Sequence, residues 1–445
     1  MFHKQIYITL PNIENMKLIS TGLVAGLLAF VMVSSTLPLS LGDDTPIFSS
    51  PGTIRPYWSV TWGGEGDEII NDIGVAEDGV YVCGVIISSN AKKAFLLKYN
   101  DNGKLQWNTT WSGNGNAEAE ALQIYEGNVY IAGTTEANGN EDVFIACYDG
   151  EGNSQWFTTW GGSSDDEGKG IAVYDDKIFV GGSTRSFGSL GSDVVLIKLN
   201  MDGDIAWHKI WGGSKDDGGN DVAVTPDGIF IAGYTSSYGS GGKDVLVLGF
   251  NDKGEFQWMK TWGGESDDEM MGIIYSRPYL YTAGVTSSYT PHALSIKYDS
   301  TGNMLFERRW GEEGEDEATD AAIYEDTFYL TGITKSYGKG GDVFLLKYDS
   351  DGMLSWSKIW GGKEEDKANA IAIYDKRIYM AGYTSSYGNG GKDALIIKCG
   401  LEGRRSFSLT SGELLIFRNN ALYLGGREII PLIPASSGET GFASY

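Results

Sequence analysis

The stretch that decides the fold reads WGGSSDDEGKGIAVYDDKIFVGGSTRSFG over residues 160–188 and continues as DVVLIKLNMDGDIAW over residues 193–207. Close variants recur along the chain, each built on two Trp residues four positions apart, with Phe306 in place of the first Trp in one copy, mostly followed by Gly-Gly and acidic residues. All 13 Trp residues belong to this motif. The first Trp of each pair is Trp58, Trp107, Trp156, Trp207, Trp258 and Trp356, and the second is Trp62, Trp111, Trp160, Trp211, Trp262, Trp310 and Trp360. A fixed period of about 50 residues indicates stacked or radially arranged supersecondary units.

Each copy contains four segments of strand length. In the copy that ends near residue 399, these are strand A (371–374), strand B (377–384), strand C (393–399) and the Trp-bearing strand D. Turns rich in Gly, Asn and Asp separate them. The two Trp side chains of strand D lie on one face of the sheet, so they need a neighbouring sheet to pack against. The pattern therefore predicts an all-β fold, a β-propeller of four-stranded blades.

The motif text also resembles a known repeat. The combination G-x-x-x-W-x-x-x-W-G-G-x-x-x-D, I-A-V-Y-x-x-x-I-Y-V-A-G-x-T-x-S-Y-G and D-V-x-L-x-K-Y-D is similar to the bacterial and archaeal seven-bladed β-propeller (SBBP) repeat. The likeness covers nearly all of the chain after residue 55. This resemblance implies a propeller on an exported protein, and it implies no single activity.

The number of blades is open at the level of sequence. Each strand type can be found eight times if weak candidates near residues 404, 414–426 and 428–433 are counted, so we slightly favour eight blades. The alternative is seven blades plus a C-terminal hairpin. In either arrangement the strand beginning at Trp58 closes the ring. The predicted segments are a signal peptide or membrane anchor (1–42), a linker (43–54), the propeller (55–434) and a tail (435–445).

The N-terminal text indicates export. From Met16 it shows one Lys, an apolar run over residues 18–33, and then small and polar residues, which is the layout of a secretory signal. Translation can start at Met1 or at Met16, and an uncleaved segment would be an anchor, the only membrane contact that we expect. We therefore place the propeller outside the cell or on its surface.

The net charge of the chain limits the classes of partner that it can bind. With 59 acidic and 34 basic residues the formal net charge is −25, which argues against nucleic-acid binding because phosphate contacts require Lys and Arg. We expect a monomer that meets a protein or a glycan at the cell surface.

One end of the propeller is predicted to be acidic and aromatic, because the D–A and B–C loops emerge there together. The candidate binding residues are the acids Asp67, Asp166, Asp217, Asp268, Asp316 and Asp366, and the aromatics Phe187, Tyr238, Tyr289, Tyr337 and Tyr387. Carboxylates and loop carbonyls are ligands that suit Ca²⁺, although no cofactor is required. The competing interpretation is that each acid caps a turn and each aromatic fixes its loop to a neighbouring blade.

Two function classes follow. The first is an exported non-enzymatic scaffold or binding module that uses this face. The second is an enzyme acting on glycans, or a quinone-dependent dehydrogenase, since the turn-plus-Trp text also resembles the quinoprotein (PQQ) repeat. No catalytic residue can be nominated, and we assign the Trp residues to the packing of blades.

Overall fold

The computed structural model describes residues 50–401, apart from residues 90, 114, 138, 289 and 290, and four strands at 415–418, 421–424, 427–431 and 442–443. Every regular element in these residues is a β-strand, so the predicted all-β class is confirmed. The described part of the chain accordingly contains no helix that could cross a membrane.

Seven antiparallel sheets of four strands form the blades, and each runs A, B, C, D from the axis outward. The chain begins with β1 (Gly52–Thr53) and β2 (Trp58–Trp62). Blade 1 is β3 (Asp67–Ala76), β4 (Gly79–Ser88), β5 (Ala91–Tyr99) and β6 (Leu105–Trp111); blade 2 is β7 (Ala117–Tyr125), β8 (Asn128–Ala137), β9 (Asn140–Tyr148) and β10 (Ser154–Trp160); blade 3 is β11 (Asp166–Val173), β12 (Ile178–Thr184), β13 (Asp193–Leu199) and β14 (Ile205–Trp211). Blade 4 is β15 (Asp217–Thr225), β16 (Gly228–Thr235), β17 (Asp244–Phe250) and β18 (Phe256–Trp262); blade 5 is β19 (Asp268–Ser276), β20 (Tyr279–Thr286), β21 (His292–Asp299) and β22 (Met304–Trp310); blade 6 is β23 (Asp316–Tyr324), β24 (Thr327–Thr334), β25 (Asp342–Tyr348) and β26 (Leu354–Trp360). Blade 7 is β27 (Asp366–Tyr374), β28 (Arg377–Thr384), β29 (Asp393–Gly400) and the N-terminal β2.

The ring closes when β2 pairs with β29. This pairing is antiparallel, with Trp58 opposite Lys398 and Trp62 opposite Ala394. The outer edge of β29 can accept only one strand, and β2 takes that place. Closure by the first strand covers the edge of the largely buried strand β29, which would otherwise be open to pairing with another chain. The short strand β1 adds to the outer edge of blade 6, where it runs parallel to β26.

The prediction of eight blades is therefore wrong, and the ring has seven. The segments counted as an eighth blade instead form a sheet of their own, with β30 (Leu415–Arg418), β31 (Ala421–Leu424), β32 (Arg427–Pro431) and β33 (Phe442–Ala443) in the order β32-β31-β30-β33. This last copy lacks the second Trp and the acidic loop. Both features recur where neighbouring blades meet, as described below. The predicted D segment near residue 404 lies outside the described residues.

Each blade packs against the next through apolar faces. One core cluster, for example, joins Ile70 and Val82 of blade 1 to Tyr379 and Ile396 of blade 7, all at most 1% exposed. Burying large apolar side chains of this kind contributes roughly 1.5–3 kcal/mol each. Because every face buries its side chains against a neighbour, the stability of a blade depends on the closed ring.

Neighbouring A strands also join near the axis through acidic side chains. Each A strand carries a β-bulge, and in three blades an Asp follows the bulged residue. Asp72 accepts the backbone N–H of Ile73 in its own strand at 2.7 Å and that of Leu122 in the next blade at 2.7 Å. Asp221 and Asp320 make the equivalent pairs of contacts. These carboxyl groups therefore fix the offset between successive blades.

Candidate functional site

The D–A loops and the B–C loops meet at one end of the ring, which we call the loop end. The opposite end carries the A–B and C–D turns, and we call it the turn end. In antiparallel blades these assignments follow from the strand order. The candidate acids and aromatics therefore share the loop end.

Most of the candidate acids are buried within a repeated network that we call the carboxylate clasp. Asp366, which is 0% exposed, accepts hydrogen bonds from the Thr384 hydroxyl, from the Ser386 hydroxyl at 2.7 Å and from the Gly362 N–H at 2.8 Å. The clasp thus joins the start of strand A to the end of strand B and to the Gly-Gly turn. Equivalent contacts surround Asp166, Asp217 and Asp316, and Asp268 accepts from the Ser288 hydroxyl and the Gly264 N–H but not from the Thr hydroxyl; all four are at most 1% exposed. These five carboxylates have their oxygens occupied by protein donors.

Blades 1 and 2 lack the Asp that forms the carboxylate clasp in the other blades. Counting six residues from the second Trp gives Glu68 in blade 1, not Asp67, and Ala117 in blade 2. Glu68 is 5% exposed and accepts the Gly64 N–H at 2.9 Å, while Asp67 accepts the Lys392 N–H of blade 7 at 2.9 Å. The fixed spacing from Trp is the signal that could have identified Glu68 and the missing acid in blade 2.

In blades 3, 4, 5 and 7, a second carboxylate approaches the clasp from the preceding blade. A Cβ added to Gly361 would lie 1.8 Å from Asp342 Oδ1 and 2.9 Å from Asp366 Oδ2, so only Gly fits between the two acids. Burial, and then the nearby Asp366 carboxylate, raises the pKa of Asp342. The same pairing recurs at Gly161, Gly212 and Gly263. The Gly-Gly of the repeat is thus required where two carboxyl groups from adjacent blades converge.

The candidate aromatics pack on the second Trp of the preceding blade. Tyr387 lies 5.2 Å from Trp360, between ring centroids, and its hydroxyl donates to the Gly361 carbonyl at 3.2 Å. Phe187, Tyr238 and Tyr337 pair in the same way with Trp160, Trp211 and Trp310. Tyr289 lies outside the described residues. One side of these rings holds neighbouring blades together, yet Phe187, Tyr238 and Tyr387 stay 38–47% exposed.

In five of the pairs, the first Trp lies at the turn end, against the C–D turn of the next blade. The Trp156 indole N–H donates to the Met201 carbonyl at 2.9 Å, and Gly203 packs on the ring with a positive φ of 86°. Trp58 and Trp107 make the same contact. In blade 5, where Phe306 replaces Trp, Arg308 Nε donates to the Gly352 carbonyl at 2.6 Å. The contact between turn and outer strand is kept although the donor differs.

Cavities in the described part of the ring include one at each end. The larger, about 610 Å³, lies at the turn end between blades 7 and 1. Three of its charged groups are already engaged, since Lys398 and the Tyr379 hydroxyl bind Asp101 and Arg377 lies over Tyr57. The smaller, about 100 Å³, opens at the loop end among blades 1 to 3. Residues that the structure describes form no group of three or more His, Cys, Asp or Glu side chains able to hold a metal ion.

Comparison with protein families and with curated proteins gives no match. Solved propeller structures are similar at low identity. The WD40 propeller domain of Doa1 is 13% identical, with a TM-score of 0.48, and covers 80% of this chain and 100% of its own. Sqt1 from Chaetomium thermophilum is 11% identical, with a TM-score of 0.45 and coverages of 81% and 100%. The endosialidase of phage phi92 is 11% identical, with a TM-score of 0.43 and coverages of 88% and 76%. Likenesses of this size carry no argument about function.

Proposed function

We propose that this chain is an exported, non-enzymatic β-propeller that serves as a cell-surface scaffold or binding module. Its loop end would hold the partner, a glycan or a protein at the cell surface. The observation that carries the proposal is the set of three rings at that end, Phe187, Tyr238 and Tyr387, which pack on Trp on one side and stay exposed on the other. Assignment to the SBBP repeat family belongs to the same proposal and is supported by the motif text.

Half-exposed rings suit recognition because they provide apolar area that is already rigid. Tyr238 and Tyr387 are fixed by stacking on Trp and by a hydroxyl donated to a backbone carbonyl, so little side-chain entropy remains to be lost on binding. Tyr and Phe rings offer an apolar face with a polar rim nearby. The rim here is acidic, with exposed carboxylates at Asp267 and Glu364. Sugar rings and protein side chains can both use such a surface.

The binding role can be tested on a glycan array and on immobilised cell-surface protein fractions. The test variant is Tyr238→Ala with Tyr387→Ala, and the matched control is Tyr174→Ala with Tyr374→Ala. The control residues are 39% exposed but lie at the turn end. We expect the first pair to lower retained signal at least about tenfold, as for loss of a stacking contact in each of two loops, and the control to leave it unchanged. Equal losses in both variants, or no retained partner with the unaltered chain, would contradict the proposal.

Export can be tested separately on the full chain. The N-terminal residue of the protein recovered from the culture medium or from the cell envelope is read by mass spectrometry. We expect it to lie close to residue 43, after removal of the apolar segment. Recovery of the intact chain from the cytosol alone would refute export.

A further inference from the structure

The cleft at the loop end differs chemically from the rest of that surface. It is lined by blades 1 to 3 and has a volume of about 100 Å³. Its acidic side chains are Glu118, Glu120, Glu136, Glu141 and Glu167, and its basic side chains are Lys92 and Lys169. Five carboxyl groups therefore face two ammonium groups, which leaves an excess of negative charge.

The cleft exists because blades 1 and 2 lack the loop that covers the equivalent region elsewhere. In blade 7 the B–C connection is a long Gly-rich loop between Thr384 and Asp393. In blade 2 the strands β8 and β9 continue into a tight hairpin, and β8 ends at Ala137 while β9 starts at Asn140. Blade 2 also has Ala117 at the clasp position. The strand ends are consequently open at the mouth of the channel.

The two lysines neutralise only part of the acidic wall. Lys92 binds Glu118 at 2.8 Å, and Lys169 binds Glu120 at 2.6 Å and Glu167 at 3.5 Å. Glu136 accepts the backbone and side-chain N–H groups of Asn116 at 3.3 and 3.2 Å. The Glu141 carboxylate accepts no hydrogen bond from a described residue. Burial, and then the neighbouring Glu167 carboxylate, raises the pKa of Glu141, so the site favours an added positive charge.

A second, independent feature points to a ligand. Thr134 lines the same cleft and is 8% exposed, and its hydroxyl oxygen is buried with no hydrogen-bond partner among the described residues. Leaving a buried hydroxyl without a partner costs about 1–3 kcal/mol. A bound group with several N–H donors would supply that partner and meet Glu141 as well.

We propose that this cleft binds one organic cation, an ammonium or guanidinium group, between Glu141 and the Thr134 hydroxyl. The inference deepens the proposed binding function, on which it rests, by naming the chemistry of one contact. Such a group presents N–H donors and positive charge together, which matches carboxylates beside a neutral acceptor. The cation can be a small amine or a Lys or Arg side chain of a partner protein.

Calorimetric titration of the full chain at low salt tests the charge requirement. The probes are N-acetyl-arginine amide, N-acetyl-lysine amide and the neutral isostere N-acetyl-citrulline amide, followed by Ala-Ala-Arg-Ala-Ala and Ala-Ala-Lys-Ala-Ala peptides. We expect the cationic probes to bind at least about tenfold more tightly than citrulline amide, which is the worth of one charged hydrogen bond. A peptide that binds much more tightly than the amide identifies a protein side chain as the source, and equal affinities identify a small amine.

Variants locate the site. Glu141→Gln should weaken cation binding at least about tenfold, whereas Glu364→Gln, which removes the same charge from the same end of the ring, should change it less than about twofold. Thr134→Val should weaken binding about threefold to tenfold without lowering the melting temperature, because it removes a hydroxyl that has no partner. A merely structural Thr134 would lower the melting temperature instead.

Three outcomes would overturn the proposal. Citrulline amide binding as tightly as the cations would remove the charge argument. Calcium chloride giving Glu141-dependent heat while the amides give none would make the site a metal site. Absence of heat with every amide and peptide would remove the cleft as a site, even if the array still shows binding that depends on Tyr238 and Tyr387, so the two proposals fail separately.

Discussion

Removing one clasp carboxylate should destabilise the propeller far more than removing an exposed acid from the same loop. In Asp366→Ala, three donors lose their acceptor: the Thr384 hydroxyl, the Ser386 hydroxyl and the Gly362 N–H. Thr384 is 0% exposed, so its hydroxyl becomes an unsatisfied buried group at a cost of about 1–3 kcal/mol. The other two donors are partly buried and can turn to water, at about 0.5–1.5 kcal/mol each.

One effect opposes these losses. The Asp366 carboxylate contributes to the raised pKa of Asp342, so removing it relieves repulsion between two acids of adjacent blades. We expect a net loss of about 3 kcal/mol in the free energy of unfolding, which for a ring of this size is about 4 °C in melting temperature. The assay is urea unfolding followed by Trp fluorescence, with calorimetry beside it, since the repeated Trp residues report on the blade contacts.

The matched control is Glu364→Ala, two residues away in the same loop. Its side chain is exposed, and the contacts with Ser386 involve only its backbone. We expect a change within about 0.5 kcal/mol. If the two variants differ by less than about 0.5 kcal/mol, the clasp does not hold the strands together and the reasoning is refuted.

Three further results are expected. Burial raises the pKa of Asp72 and Asp221 to about 7. Their contribution to the free energy of unfolding is therefore complete below about pH 4 and is lost as the pH rises through 7. The urea midpoint should be higher at pH 5.5 than at pH 8, and the reverse order would contradict this. Trp156→Phe should cost about 1 kcal/mol, since it removes the donor to Met201, while Trp258→Phe, whose ring packs on Gly302 in the same way without such a bond among the described residues, measures the packing change alone in thermal melts. Because protein donors occupy the clasp acids, EDTA should leave the melting temperature unchanged; a drop of several degrees would show a required metal.

Much of the fold could be predicted because the same strand and turn signals recur in every copy of the repeat. The Trp spacing, the alternation in strands A to C and the Gly-containing turns each recur, so one ambiguous copy is corrected by its neighbours. The prediction failed at the last copy, where the text keeps the apolar pattern of strands but lacks the second Trp and the acidic loop. Apolar alternation shows that a segment can form a strand, and it does not show which sheet edge that strand joins.

The site was harder to predict because the same residue types, Asp or Glu and Tyr or Phe, serve both in packing between blades and on the exposed surface. Sequence places Asp366 and Tyr387 in loops at the same end of the ring, and it cannot show that one is wholly enclosed and the other half open. The repeat pattern does not single out Thr134 and Glu141, because the B–C connection of their blade departs from the pattern that the other copies share. Their significance depends on side chains from three blades that meet only after folding.

The sequence by itself determined the strand content, the four-stranded unit and the closing role of the strand at Trp58, because local hydrophobic alternation and turn chemistry are encoded residue by residue. Only the tertiary structure decided the number of blades, since that number depends on which strand occupies the one free edge of β29. It also decided which carboxylates are buried in clasps and which remain in an open cleft. Burial and charge balance are properties of groups brought together from distant parts of the chain.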